Sequence, residues 1–216
     1  MARESKGART KRAAEVFELL AEEYPDAHCA LVHTDAHQLG VATILSAQTT
    51  DVRVNMVTPT LFERYPTPAH LAEARPEDVE EIIRSTGFYR NKTKNIIGFA
   101  QGVTELHGGE VPRTMKELTE LPGVGRKTAN VVLGNAFGID VGVVVDTHVK
   151  RLSRLLSFSK EKTPEKVEGD LMALFPMGRW TLLSHLLIFH GRQVCIARRP
   201  RCEACVMSHL CPSSRV

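Results

Sequence analysis

Along almost the whole chain, apolar residues return every three to four positions. Between 9 and 23, Ala13, Val16, Phe17, Leu20 and Ala21 fall at i, i+3, i+4, i+7 and i+8 with charged residues on the other side, the pattern of an amphipathic helix. The same period predicts helices at about 36–47, 51–64, 68–74, 77–86, 91–107, 114–120, 125–136, 147–156, 164–174 and 180–192. Stops are supplied by Pro25, Pro66, Pro76, Gly108–Gly109, Pro112 and Pro176. About eleven helices result. The exception is 139–145, valine-rich and isolated. A lone strand has no partner to pair with, so this stretch is predicted to be an extended connection, where the chain crosses from one domain to another. The chain is therefore predicted to be all-α.

Composition narrows the class. A chain of 216 residues has material for one large or two small domains, and 43% hydrophobic with 25% charged residues excludes disorder, collagen and a disulfide-stapled miniprotein. The longest apolar run, 39–47, contains Gly40, Thr43 and Ser46 and is far shorter than the roughly 18 residues of a membrane span. The start, MARESKGARTKR, is basic without an apolar h-region. No membrane association and a cytoplasmic location are the expectations. The net charge of +3 is unevenly placed: residues 1–12 carry +4, residues 190–216 carry +4 and the rest −5. Positive ends suit a polyanion partner, and equally suit solvated tails.

Four of the five cysteines lie at 195, 202, 205 and 211, in the spacing C-x6-C-x2-C-x5-C. Without a secretory signal, four thiols so close together read as metal ligands rather than two disulfides. Spacing alone leaves zinc and iron–sulfur both open. Cys29 stands apart and is expected to be a small core residue.

Residues 113–138 read RTMKELTELPGVGRKTANVVLGNAFG. A helix carrying Met115, Leu118 and Leu121 is stopped by Pro122, the turn L-P-G-V-G follows, and a second helix opens near Gly125 or Arg126. Two glycines allow φ > 0 and leave little side chain over the turn. Its N–H groups, with the positive end of the second helix, can accept a phosphate without regard to base sequence. An ordinary helical hairpin with a glycine cap fits the same residues.

LPGVGRKTANVVL resembles the helix–hairpin–helix motif of the endonuclease III family of DNA glycosylases. The resemblance extends to Val145-Asp146-Thr147-His148 after an extended stretch, and to the spacing of the four cysteines. It covers about residues 30–212. What it implies is a fold of two helical domains with the active cleft between them. One is a helical barrel domain at 29–140 with the hairpin at about 114–136; the other is a cluster domain from 1–28 plus 141–216. One [4Fe–4S] cluster per chain would be held by Cys195, Cys202, Cys205 and Cys211. The loop between the first two ligands would present Arg198, Arg199 and Arg201 to phosphates.

Base excision breaks a C1′–N bond, which an amine nucleophile can do while leaving a Schiff base that permits strand cleavage. Lys127 lies in the first turn of the second hairpin helix. Spacing alone favours a solvated or phosphate-contacting lysine; by resemblance it is the nucleophile. Asp146 is a natural N-cap, and by resemblance also the carboxylate that stabilises oxocarbenium-like charge. His148 is at most a supporting residue. A glycosylase must also flip its target base and fill the hole. Gln48 in LSAQTTD and Phe88 in STGFY match the family's filling elements, although leucine is commoner at the Phe88 position. Gly123, Val124, Gly125, Arg126 and Thr128 would hold the backbone.

The implied partner is double-stranded DNA containing a damaged pyrimidine or an abasic site, bound by a monomer. The implied activity is a bifunctional glycosylase and abasic-site lyase. Two alternatives remain: a monofunctional, adenine-type glycosylase of the same fold, which would lack Lys127, and a non-catalytic DNA-binding iron–sulfur protein.

Overall fold

The computed structural model describes residues 4–216. Eleven α-helices account for most of them: α1 Lys6–Glu23, α2 Ala36–Leu45, α3 Asp51–Arg64, α4 Pro68–Ala72, α5 Pro76–Ile83, α6 Tyr89–His107, α7 Met115–Glu120, α8 Arg126–Ala136, α9 Thr147–Leu155, α10 Pro164–Leu174 and α11 Trp180–Gln193. No strand forms among the described residues, and none of their helices is long and apolar enough to cross a membrane. Starts follow local chemistry. Ser5, Asp35, Thr50, Thr67, Thr114 and Asp146 each accept a first-turn N–H on the side chain, which satisfies a donor the helix cannot. Proline opens α4, α5 and α10.

The chain divides into two compact units, Cys29–Ile139 and the two ends, up to His28 and from Asp140. Asp140 goes with the terminal unit because its carboxylate caps α11: it accepts from the N–H groups of Gly178, Trp180 and Thr181 and from the Thr181 hydroxyl, at 2.7–2.9 Å.

In the Cys29–Ile139 unit, α2 is apolar on every side and buries eight of its ten residues, the character of a central helix. It packs on α3, α6 and α8. Gly40 is needed at the crossing with α6, since a Cβ there would lie 2.6 Å from the Phe99 ring. Along α6, Asn95, Gly98 and Gly102 form the bed of the hairpin. A Cβ at Gly98 would meet Pro122 at 3.0 Å, and one at Gly102 would meet Leu121 at 2.6 Å.

The other unit buries one continuous core from α1, α9, α10 and α11, including Phe17, Leu20, Leu152, Phe158, Leu171 and Leu187. The valine-rich connection lies extended in this core, with Val143 and Val145 buried and the Val144 N–H donating to Ser184 Oγ at 2.9 Å. The basic N-terminus is not merely solvated. The Arg12 guanidinium pairs with Glu4 at 2.8 Å and donates to the carbonyls of Leu156 and Leu210.

Candidate functional site

The hairpin is built from both of its helices. Thr114 Oγ1 caps α7 by accepting the Glu117 N–H at 3.2 Å and donates to Glu117 Oε2 at 2.6 Å. Leu118, Leu121 and Val124 are buried, and the Val124 N–H donates to the Leu121 carbonyl at 3.1 Å. That N–H is thus already used inside the turn. Of the two glycines that allow φ > 0, only Gly123 uses it, with φ +75, and its missing Cβ also makes room for Asn95, 2.8 Å away. Gly125 is extended, with φ −92. Its value is openness: a Cβ there would meet nothing within 4 Å. As the N-cap of α8 it brings no side-chain cap, so the positive end of α8 is left accessible. Arg126 and Lys127 are exposed in its first turn and Thr128 is half-buried.

Two further turns of the same unit carry the predicted filling residues. Gln48 follows α2, and Phe88 follows a single 3₁₀ turn at Arg84–Thr86. Both are non-glycine residues in the left-handed region, with φ +53 and +49, a conformation that costs about 1–2 kcal/mol per residue. Phe88 is 66% exposed, an aromatic ring held out to solvent. A cavity of about 240 Å³ is lined by Gln48, Phe88, Asn91, Lys92, Asn95, Gly123 and Thr128, among others. The structure thereby gathers Gln48, Phe88 and the hairpin around one space.

In the terminal unit, Asp146 is the N-cap of α9, with Oδ1 accepting the Val149 N–H at 2.8 Å, and it stays half-buried. His148 packs against α11, where a Cβ on Gly191 would lie 3.0 Å from its Nδ1.

The four cysteines Cys195, Cys202, Cys205 and Cys211 line one cavity of about 700 Å³. Among the described residues, no three His, Cys, Asp or Glu side chains converge as a single ion would require; the thiols stand around a space instead. Burial pushes the thiols of Cys195, Cys205 and Cys211 up, and ionised neighbours in the set push each further. Four thiols around one space, Cys195, Cys205 and Cys211 among them resisting ionisation, fit a polynuclear cationic cluster, whose iron would offset the repulsion between thiolates. The loop is braced from outside. Arg151 donates to the carbonyls of Gly191 and Cys195, at 2.9 and 2.8 Å, and His190 Nε2 lies 3.4 Å from Cys205 Sγ. Arg198, Arg199 and Arg201 are exposed on it. Arg201 is tied down by its donation to the Gln193 carbonyl. Cys29 is half-buried rather than a core residue.

Sequence reasoning missed Lys92, Asp140, Arg151 and His190. Lys92 had a signal: it falls on the apolar stripe of α6 with Ile96, Phe99 and Val103, where a charge has no ordinary place. Asp140, Arg151 and His190 act through backbone groups and partners distant in sequence, which no local pattern shows.

Residues 41–177 match the family model described as HhH-GPD superfamily base excision DNA repair protein, and residues 195–211 match the iron-sulfur binding domain of endonuclease III. The chain is 53% identical to endonuclease III of Synechocystis sp. over 96% of this chain and 95% of that one. With endonuclease III of Escherichia coli K12 it shares 42% identity over 91% and 93%. Among solved structures, it resembles a non-covalent endonuclease III–DNA complex with a TM-score of 0.89 and 43% identity, covering 94% of this chain and 95% of that one. It resembles a trapped endonuclease III–DNA covalent intermediate equally, with 0.89 and 43% over 94% and 96%.

Proposed function

The chain belongs to the endonuclease III family of DNA glycosylases, and from that premise we propose that Lys127 is its nucleophile and Asp146 its charge-stabilising carboxylate. It is a bifunctional base excision repair enzyme, a DNA glycosylase and abasic-site lyase, with one [4Fe–4S] cluster. Its substrate in this proposal is an oxidised or reduced pyrimidine in duplex DNA, met by a monomer in the cytoplasm without a membrane partner. The unit Cys29–Ile139 serves as the helical barrel domain and the other as the cluster domain.

The Lys127 amine attacks C1′. The C1′–N bond breaks with its electron pair leaving on the base, which takes up a proton. A proton lost from Nζ passes to O4′ as the C1′–O4′ bond opens, which leaves a protonated Schiff base between Nζ and C1′. Removal of a C2′ proton then expels the 3′-phosphate by β-elimination, and water releases the amine. Asp146, oriented by its cap bond to Val149, stabilises the positive charge that develops on the sugar. Phe88 and Gln48 fill the space of the flipped nucleotide, Phe88 by stacking and Gln48 by hydrogen bonding to the orphaned base. Gly123, Gly125, Arg126 and Thr128 hold phosphate at the open end of α8. Val124, its N–H engaged, contributes packing. Arg198 and Arg199 meet phosphates elsewhere on the duplex. Cys195, Cys202, Cys205 and Cys211 would hold the cluster, which when bound supplies a rigid cross-link of the loop that carries these arginines.

The observation that supports this most is the match at TM-score 0.89 to an endonuclease III trapped in covalent linkage to DNA, together with an exposed lysine in the first turn of α8. Borohydride added to the protein on duplex containing an oxidised pyrimidine should yield a covalent adduct that is absent in Lys127→Ala. Excision without adduct would make the enzyme monofunctional; neither excision nor adduct would leave only a DNA-binding protein.

A further inference from the structure

Two strained turns carrying two side chains for one hole pose a mechanical problem. Left-handed non-glycine residues persist only where the surroundings over-determine them, yet Gln48 and Phe88 are exposed and nothing about their own side chains holds them. What does lies beneath. Lys92, in the first turn of α6, is 4% exposed, and its ammonium donates to Thr49 Oγ1 at 2.7 Å and to the Thr86 carbonyl at 2.8 Å. Thr49 Oγ1 in turn donates to the same Thr86 carbonyl at 2.5 Å. Thr49 directly follows Gln48, and Thr86 lies two residues before Phe88. Thr86 is itself buried, its hydroxyl donating to the Ile83 carbonyl at 2.8 Å.

Three bonds therefore close a triangle between the two turns, with a buried cation at one corner. Both acceptors of Lys92 are neutral oxygens, and burial pushes the ammonium down from its usual range. An apolar residue at this register, like Ile96 and Phe99 further along α6, would fill the space without that desolvation penalty. The ammonium offers what an apolar residue lacks: several donors that can reach two chain segments at once.

We infer that Lys92 is a positioning residue whose ammonium locks the Gln48 turn to the Phe88 turn, so that the two side chains enter the duplex as one preformed element. This rests on the proposed filling roles of Gln48 and Phe88. Prior ordering of the turns lowers the conformational cost of binding. Its loss should weaken base flipping in duplex and spare chemistry on a sugar that needs no flipping.

The test is Lys92→Met, which keeps the unbranched stem and removes the donors, alongside Thr49→Val, Phe88→Ala and Gln48→Ala, all as cluster-loaded protein. Three readouts are taken: single-turnover excision from duplex, fluorescence of 2-aminopurine opposite the lesion, and borohydride trapping on single-stranded abasic DNA. Lys92→Met should slow duplex excision about tenfold or more and lower the 2-aminopurine signal, with trapping unchanged within about twofold. Because Thr49 and Lys92 share one network, the double variant should be little worse than Lys92→Met alone. If Lys92→Met fails to fold, Thr49→Val carries the same expectations. Should Phe88→Ala and Gln48→Ala slow duplex excision while Lys92→Met and Thr49→Val do not, the coupling is overturned and the filling roles stand. If none of the four slows it, the filling roles themselves fail. Equal losses in duplex excision and single-strand trapping would reduce Lys92 to a stability residue and overturn the inference.

Discussion

His37 makes the helix that leads to the Gln48 turn sensitive to acid. It sits in the first turn of α2, 5% exposed, stacked on Phe99 with ring centroids 5.8 Å apart and planes within 6°. Neither ring nitrogen has a hydrogen-bond partner. Burial pushes its pKa down to about 4, against roughly 6.5 in the unfolded chain. As pH falls below about 6.5 the unfolded chain takes up the proton first, so stability declines until the folded ring also titrates near pH 4 and is level below that. Between pH 7 and pH 5 the loss from this one residue is about 2 kcal/mol by linkage. For a chain of this size that is a drop of about 4–8 °C in melting temperature. His37→Phe presents a ring to Phe99 with nothing to protonate and forfeits no hydrogen bond. Melting of both proteins at pH 7, 6 and 5 isolates the His37 contribution, because His185 and His190, whose burial also pushes them down to about 4, are common to both. The variant should lose about 2 kcal/mol less than wild type over this interval. Parallel pH profiles for the two proteins would refute the assignment.

Gly123→Ala forces a side chain into φ +75 and brings its Cβ to 2.8 Å from that of Asn95. The backbone alone should cost about 1–2 kcal/mol in chemical denaturation, and DNA affinity should fall with it; an unchanged midpoint would contradict the geometry. Replacing Arg198 and Arg199 together by alanine should weaken damaged and undamaged duplex alike. The slope of log K against log salt should fall by about 1.8, or roughly 0.9 for each phosphate no longer neutralised. Weaker binding without a change in slope would show that neither arginine meets phosphate.

The helices were legible because each has its own period and its own signals at the ends. α1 begins at Lys6 rather than 9 because Ser5 caps it, and α5 ends at Ile83, its last predicted turn tightening into the 3₁₀ turn that presents Phe88. Lys127, Asp146 and the four cysteines could be picked out as candidates from the sequence, since each lies in a local motif whose resemblance to the family, rather than its spacing alone, implies a role. Gly123 and Gly125 look alike in sequence, where either could supply a positive φ or open space; only the backbone angles distinguish the turn that needs φ > 0 from the helix start that needs room.

By itself, then, the chain's order of residues determined an all-helical protein with a hairpin, a capping aspartate and a four-thiol loop, all of which are local. Tertiary structure alone decided what these elements rest on. It seated the hairpin on Asn95, Gly98 and Gly102 of α6, enclosed His37 without a polar partner, and placed the Lys92 ammonium where it spans two turns. Each depends on atoms brought together from distant segments, and the free energy of such contacts exists only once packing has excluded water from them.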